Sequence, residues 1–247
     1  MNGYTDFARF YEALMEDAEY AKRAAYILEI CKRFGHETGK TLDLACGTGF
    51  LSRELFKMGV DVFGVDGSED MLCEATDKKF EEGLDIPYFQ QEMQELELPK
   101  QIDTCVCTLD SLNHLTNTKD VQETFNHVGK FMNSGGLFIF DVNTVYKHRE
   151  VLGNNNFVIE TDEIFCAWQN YLCDDDVVEI DLDFFLKGED GLYERFSESF
   201  EERAYSEEQL TEMLKNAGFE VEAVYGDLSF DSPVPDEQRQ IYVTRKR

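Results

Sequence analysis

The sequence predicts an α/β fold: a doubly wound, mostly parallel seven-stranded sheet with an antiparallel last strand, plus a small antiparallel β insert. Three observations carry this prediction. Strand-like and helix-like segments alternate through the first 142 residues, the pattern of a parallel sheet covered by helices on both faces. One predicted strand runs directly into a Gly-x-Gly turn and a helix, in "TLDLACGTGF" at 41–50. Near 178–186 the apolar period falls to two. Val178, Ile180, Leu182, Phe184 and Leu186 share one face, and Glu179, Asp181 and Asp183 share the other, as in a half-buried antiparallel strand.

The elements follow in order. Residues 5–34 read as helical, because Phe7, Phe10, Tyr11 and Leu14, then Ala24, Ile27 and Leu28, recur at helical spacing. "GHETG" ends that region. A first strand is expected at 40–45, a helix at 49–58 stopping at Gly59, and a second strand at 60–66. Ser68 caps the next helix, with Glu69 and Asp70 in its first turn. Strands at 86–90 and 102–109 follow, then a helix from Thr118 to about 132 and a fifth strand at 135–142. The insert is read at 157–172, 178–186 and 192–204, with "CDDD" and "KGEDG" as turns. Ser206 and Gln209 have capping-box spacing, Gly218 stops that helix, and strands near 219–225 and 239–245 close the sheet. The expected organisation is one main domain from 1–142 and 205–247, with helices 5–34 at its start. The insert, 143–204, is expected to cover the acceptor site or form a homodimer contact.

The chain has 247 residues and a formal net charge of −28. Nucleic-acid binding rests on Lys and Arg neutralising phosphates, and no basic cluster exceeds the terminal "RKR", so no nucleic-acid partner is expected. No apolar run approaches the roughly 20 residues of a membrane span, and the N-terminus lacks a signal-peptide pattern. The reading is a soluble, cytoplasmic protein without a membrane partner. Seven cysteines show no disulfide framework and no metal-ligand clustering. They are expected as reduced packing thiols, with no metal site.

Asp43 closes the first strand just before Gly47 and Gly49. A carboxylate there repels a pyrophosphate and attracts an ammonium group, while the glycines let backbone approach a ligand closely. Ser52 stands where the dinucleotide fingerprint has its third glycine. Asp66 follows Gly49 by 17 residues, near the ~20-residue offset of a ribose-binding acid. Its two oxygens can accept from both ribose hydroxyls.

These residues resemble the class I, Rossmann-like S-adenosylmethionine-dependent methyltransferases of small-molecule type. "LDLACGTG" is similar to that family's first motif, E/D-x-G-x-G-x-G, with Ala45 in place of the first glycine. "GVDGSEDML" resembles the second motif, "QQEMQELELP" the third, and "LDSLNHL" the region after the fourth strand. The resemblance implies S-adenosyl-L-methionine as cofactor, S-adenosyl-L-homocysteine as product, and a small-molecule acceptor. It implies cofactor contacts at Asp43, Ala45, Cys46, Gly47, Asp66, Gly67, Met71 and Leu109. Glu92 would accept from the adenine amino group and the Met93 N–H would donate to a ring nitrogen. Tyr11 and Tyr20 would close over the cofactor. Asp110, Asn113 and His114 are the catalytic candidates, with His114 as a base. Trp168 and Tyr171 would line a substrate pocket or form the insert's core. Two alternatives stand beside this reading. One is an NAD-dependent oxidoreductase, which Asp66 fits and Asp43 and Ser52 do not. The other is a non-catalytic cofactor-binding protein on the same fold.

Overall fold

The computed structural model describes residues 19–247 except 163 and 189. The helical reading of 5–18, including Tyr11, lies outside the described residues. Within them, strand and helix alternate as β1 (Lys40–Leu44), α2 (Phe50–Lys57), β2 (Asp61–Asp66), α3 (Glu69–Glu81), β3 (Tyr88–Gln90) and β4 (Ile102–Cys107), preceded by α1 (Tyr20–Arg33). Helix α4 (Thr118–Phe131) and β5 (Met132–Asn143) follow. Strands β6 (Asn156–Glu160), β7 (Ile164–Leu172), β8 (Val177–Lys187) and β9 (Tyr193–Arg203) come next. Helix α5 (Glu207–Asn216), β10 (Phe219–Gly226) and β11 (Arg239–Lys246) complete the chain.

Seven strands form one sheet in the order β10-β11-β5-β4-β1-β2-β3. β11 runs antiparallel to both β5 and β10, and the remaining pairs are parallel. The chain leaves β1 for β2 on one side and later returns to place β4 on the other. β1 and β4 therefore flank the switch point, and ligands of such sheets bind beyond the carboxyl ends of the strands there.

The alternation of side chains across the pleat separates two apolar layers. Cys105, Cys107, Phe138 and Phe140 pack under α4 and α5, and Phe140 stacks on Tyr242 at 5.0 Å. Val106, Leu137 and Ile139 meet Ala24, Ile27 and Ile30 of α1 and Leu51 and Leu55 of α2. The helix starts follow the sequence chemistry. Ser68 Oγ accepts from Met71 N, Asn117 Oδ1 accepts from Lys119 N, and Ser206 and Gln209 form a reciprocal capping box.

Two expectations are adjusted. β5 begins at Met132 rather than 135, because Met132 already pairs with Ile102 before the register shifts. The segment read as 157–172 is two antiparallel strands. Thr161 turns the chain between them, its N–H donating to Ile164 O and its Oγ1 accepting from Ile164 N. The second sheet is four-stranded and antiparallel, β6-β7-β8-β9. No described helix is long and apolar enough to cross a membrane.

Candidate active site

Asp43 sits at the end of β1 with only 2% of its surface exposed. Its Oδ2 accepts from Ser52 Oγ at 2.6 Å, so the side chain that departs from the dinucleotide fingerprint is a partner of the acid. Burial pushes the Asp43 carboxyl up to about 7 against that hydrogen bond, with Asp66 adding to the rise. Asp43 nonetheless faces a cavity, together with Tyr20, Ala45, Cys46, Gly47, Phe50, Thr108, Leu109 and Ser111. The turn itself is left-handed at three places: Ala45 at φ +57°, Gly47 at +52° and Gly49 at +72°. A Cβ on Gly49 would lie 2.3 Å from Tyr88 Oη, whereas one on Gly47 would project into open space. Glycine 49 thus answers to packing and glycine 47 to backbone conformation and close approach. Arg53 of α2 holds the turn by donating to Thr48 O at 2.7 Å.

Asp66 ends β2. Its Oδ2 accepts from Gly47 N at 2.7 Å and its Oδ1 from Ser68 N at 2.8 Å. The carboxylate is thereby aimed across the glycine turn, and each oxygen keeps a further lone pair for a hydroxyl. Burial pushes its pKa up, opposed by those N–H groups and by His114. Glu92 lies beside Gly67, whose added Cβ would fall 2.8 Å from Glu92 Oε1. Met93 packs on the main core, and Met71 sits in the first turn of α3. Tyr20 opens α1, lines the cavity and stacks on Phe50 with ring centroids 4.4 Å apart.

The loop after β4 is strained and held from β5. Leu109 and Asp110 both have positive φ, +58° and +53°. Asp141 accepts from both of their N–H groups, at 2.9 and 2.7 Å. The same carboxylate pairs with Arg239 at 2.5 Å and with Arg23 of α1 at 3.3 Å. Asp110 pairs with Arg239 at 2.6 Å and accepts from Asn143 Nδ2 at 2.8 Å. Burial opposes its charge, but Arg239, Lys147 and His114 outweigh burial and hold the carboxyl well below the usual carboxylate range. Hydrogen bonds tie this loop to the end of β9 and the segment after it: Asn113 Nδ2 to Arg203 O, Arg203 Nη1 to Thr116 O, and Tyr205 Oη to Leu115 O.

One wider groove lies elsewhere, about 360 Å³ between α3 and the β3 edge, lined by Glu69, Leu72, Cys73, Thr76, Asp77 and Gln90. It brings no convergent polar groups from several strand ends. The switch-point cavity does, and it is the better site.

Comparison with known proteins decides the family. Residues 41–136 match the model of a methyltransferase domain. The chain is 35% identical over 246 residues to the "Putative methyltransferase YqeM" of Bacillus subtilis (strain 168), covering 98% of this chain and 97% of the relative. The crystal structure of an S-adenosylmethionine-dependent methyltransferase from Clostridium acetobutylicum ATCC 824 superposes with a TM-score of 0.90 at 35% identity, over 99% of both chains. This chain is an S-adenosylmethionine-dependent methyltransferase. A more distant relative is the glycine/sarcosine N-methyltransferase of Aphanothece halophytica, 24% identical over 221 residues, 85% of this chain and 77% of the relative.

In this methyltransferase Asp43, Ala45, Cys46, Gly47, Asp66, Gly67, Leu109, Asp110, Asn113 and His114 lie at or just beyond the carboxyl ends of β1, β2 and β4, while Tyr20 is in α1, Met71 in α3, and Glu92 and Met93 follow β3; Tyr11 lies outside the described residues. Two of the catalytic candidates have structural partners. Asn113 is fully buried and all its polar atoms are committed, Oδ1 to Asn143 N and Nδ2 to two carbonyls. It is a clamp between sheets. Asp110 is ion-paired with Arg239. His114 remains: it is half-exposed, and burial of the rest pushes its pKa below the usual histidine range against Asp110 and Asp66. Trp168 packs on Phe157 inside the insert, and Tyr171 is exposed, its hydroxyl donating to Gln169 on the same face of the strand.

Sequence reasoning missed Asp141, Asn143, Lys147, Glu202 and Arg239. A signal existed for the first two, which end β5 as Asp43 and Asp66 end theirs. Glu202 also left a trace. It falls in phase with Phe196 and Phe200 on the apolar side of β9, where an acid breaks the alternation.

Proposed function

We propose that this methyltransferase acts on a small-molecule acceptor bound between the loop 108–114 and the inner face of the second sheet. The observation that carries the reading is the meeting of the β1 and β4 ends around one cavity, with the acid that ends β2 hydrogen-bonded to the glycine turn. Asp43 and the glycine turn line its cofactor side, and Asp66 stands behind that turn, accepting from Gly47 N. Thr108, Leu109 and Ser111 line the side toward His114. The residues present fit S-adenosyl-L-methionine. Asp43 is an acid for the methionine ammonium, Gly47 offers a bare backbone with room beyond it, and Asp66 has lone pairs left for the ribose. Glu92 and Met93 lie beyond Asp66 for the adenine.

S-adenosyl-L-methionine supplies a methyl group already activated by its sulfonium charge. The chain's task is to hold the acceptor close, aligned and dry. Tyr20 stacked on Phe50 closes one side of the cavity, and the Asp141 carboxylate fixes the strained backbone of Leu109 and Asp110 on the other. The acidic surface and the glycine/sarcosine relative support a small acceptor over a nucleic acid.

The test is calorimetry with S-adenosyl-L-homocysteine on the wild type and on Asp66→Asn. Asparagine keeps the size of the side chain and one of its two acceptors, whereas alanine would orphan the N–H groups of both Gly47 and Ser68. Loss of a charged hydrogen-bond acceptor costs about 1.5–3 kcal/mol, so affinity should fall roughly 10- to 150-fold with the fold intact. An unchanged dissociation constant would remove Asp66 from the site.

A further inference from the structure

Glu202 reaches the methyl-transfer loop from β9 of the second sheet. It is 5% exposed. Oε2 accepts from Asn143 Nδ2 at 3.1 Å and lies 3.8 Å from His148 Nε2. Oε1 carries no hydrogen bond within the described residues and lies 3.8 Å from His114 Nε2. Cross-strand neighbours share a face, and Glu202 stands opposite Val178, Phe200 opposite Ile180, and Glu198 opposite Leu182. Glu202 and Glu198 are thus carboxylates set among Val178, Ile180, Leu182 and Phe200, with the Phe200 ring between them 5.2 Å from the His114 ring. Glu198 has no hydrogen-bond or ion-pair partner among the described residues.

His148 supplies an independent observation. It is fully buried, and its Nε2 has no hydrogen-bond partner. Its Nδ1 lies 2.9 Å from Asp176 O. A carbonyl only accepts, so Nδ1 carries the proton and the neutral ring turns the Nε2 lone pair toward Glu202. Two acceptors face each other there, and such a pair is relieved by a proton placed on the carboxyl.

We propose that Glu202, with His114 beside it and His148 behind it, binds the acceptor's nucleophile as an ammonium group and takes its proton, so that the acceptor is a small amine. This rests on the methyl-transfer reading of the same site. One N–H bond of the ammonium breaks and one O–H bond forms at Glu202. The electron pair stays on nitrogen as the nucleophile, and the buried Nε2 of His148 then faces a donor instead of a charge. A hydroxyl acceptor brings a single donor and no charge, and it leaves Glu198 without a counter-charge.

The electrostatics agree. Burial first, and Asp110 next, push the Glu202 carboxyl up to about 8, against Asn143, Lys147 and Arg239. That narrows the gap to an alkylammonium group, whose pKa is near 10.4 in lysine, and proton transfer is most effective when the two approach. The groups facing Glu202 are His114 and Asp110 of the β4 loop, Lys147 and His148 beyond β5, and Arg239 of β11. Asp66 faces the His114 side. Burial pushes both histidines toward the neutral form.

The test is a titration of the full chain, saturated with S-adenosyl-L-homocysteine, with methylammonium and benzylammonium chloride against potassium chloride at equal ionic strength. Wild type should bind at least one of the two amines about tenfold more tightly than Glu202→Gln, with a smaller loss in Glu198→Gln and with S-adenosyl-L-homocysteine affinity unchanged in both. The His114 ring resonances should shift with the amine in wild type and not in Glu202→Gln. Equal amine binding by wild type and Glu202→Gln, or none by a wild type that binds S-adenosyl-L-homocysteine, would overturn the inference and leave the methyl-transfer reading standing. Failure of wild type to bind S-adenosyl-L-homocysteine would sink both.

Discussion

Asp43 and Glu202 are two buried carboxylates, each pushed toward neutrality, at opposite sides of one site. Asp43 lies at the end of a parallel strand, and its partner Ser52 is nine residues away on the helix that follows the same turn. Glu202 lies in the antiparallel insert, and its hydrogen-bond donor Asn143 is 59 residues away. The surroundings of Asp43 are therefore built by one strand–turn–helix unit, while the proposed acceptor side is assembled from β4, β5, β9 and β11. A local unit keeps its geometry as long as the turn folds. An assembled one depends on the charge network that joins its pieces.

The strongest way to break that contrast is Arg239→Met. Arg239 pairs with both Asp110 and Asp141, and removing one partner of a buried ion pair typically costs about 3–5 kcal/mol. Chemical denaturation should show a loss of that size. In the surviving native fraction, the dissociation constant of S-adenosyl-L-homocysteine should change less than methyl transfer does. An equal loss on both sides would mean that the two halves are not built independently.

A smaller effect tests the cofactor half by pH. Asp43 holds its proton up to about 7 in the folded chain, with Asp66 the charge that adds to the rise, whereas an unfolded Asp ionises near 3.9. Between those values the folded state carries a proton that the unfolded state lacks. This group's contribution to stability therefore declines as pH rises through that window. Ligand binding runs the other way, because an ammonium favours the ionised acid. Affinity for S-adenosyl-L-homocysteine should rise about tenfold from pH 6 to pH 8, the change in ionised fraction for a group titrating near 7. Asp43→Asn should flatten the slope in calorimetry.

The smallest effect concerns backbone strain in the local unit. Ala45 holds φ +57°, a conformation that costs an L-residue roughly 1–2 kcal/mol and glycine almost nothing. Ala45→Gly should raise the melting temperature by about 2–4 °C, the shift expected for about 1 kcal/mol in a chain of this size. A drop would show that the methyl group, packed against the main core, is worth more than the strain it imposes.

Much of the cofactor half was legible because its signals are short-range. Strand alternation, a Gly-x-Gly turn, an acid at each strand end and helix caps all lie within a few residues of one another. The acceptor half was less so. Asn113 and Asp110 looked like catalytic groups because polar residues after β4 are near the chemistry. Only the fold shows that Asn113 is consumed by Asn143 and Arg203, and Asp110 by Arg239 and Asn143. The buried state of Asp43 was equally out of reach. The sequence places an acid at a strand end but does not say whether water or Ser52 meets it.

By itself, then, the sequence determined the seven-stranded architecture, the position of the glycine turn and the acids at 43 and 66, because hydrophobic period and turn chemistry act along the chain. The tertiary structure alone decided which polar groups remain available. It paired Asp110 with Arg239 and Asn143, spent Asn113 on holding β9 to β5, and brought Glu202 beside His114. Burial and pairing are properties of neighbours in space, and here those neighbours come from four separated strands.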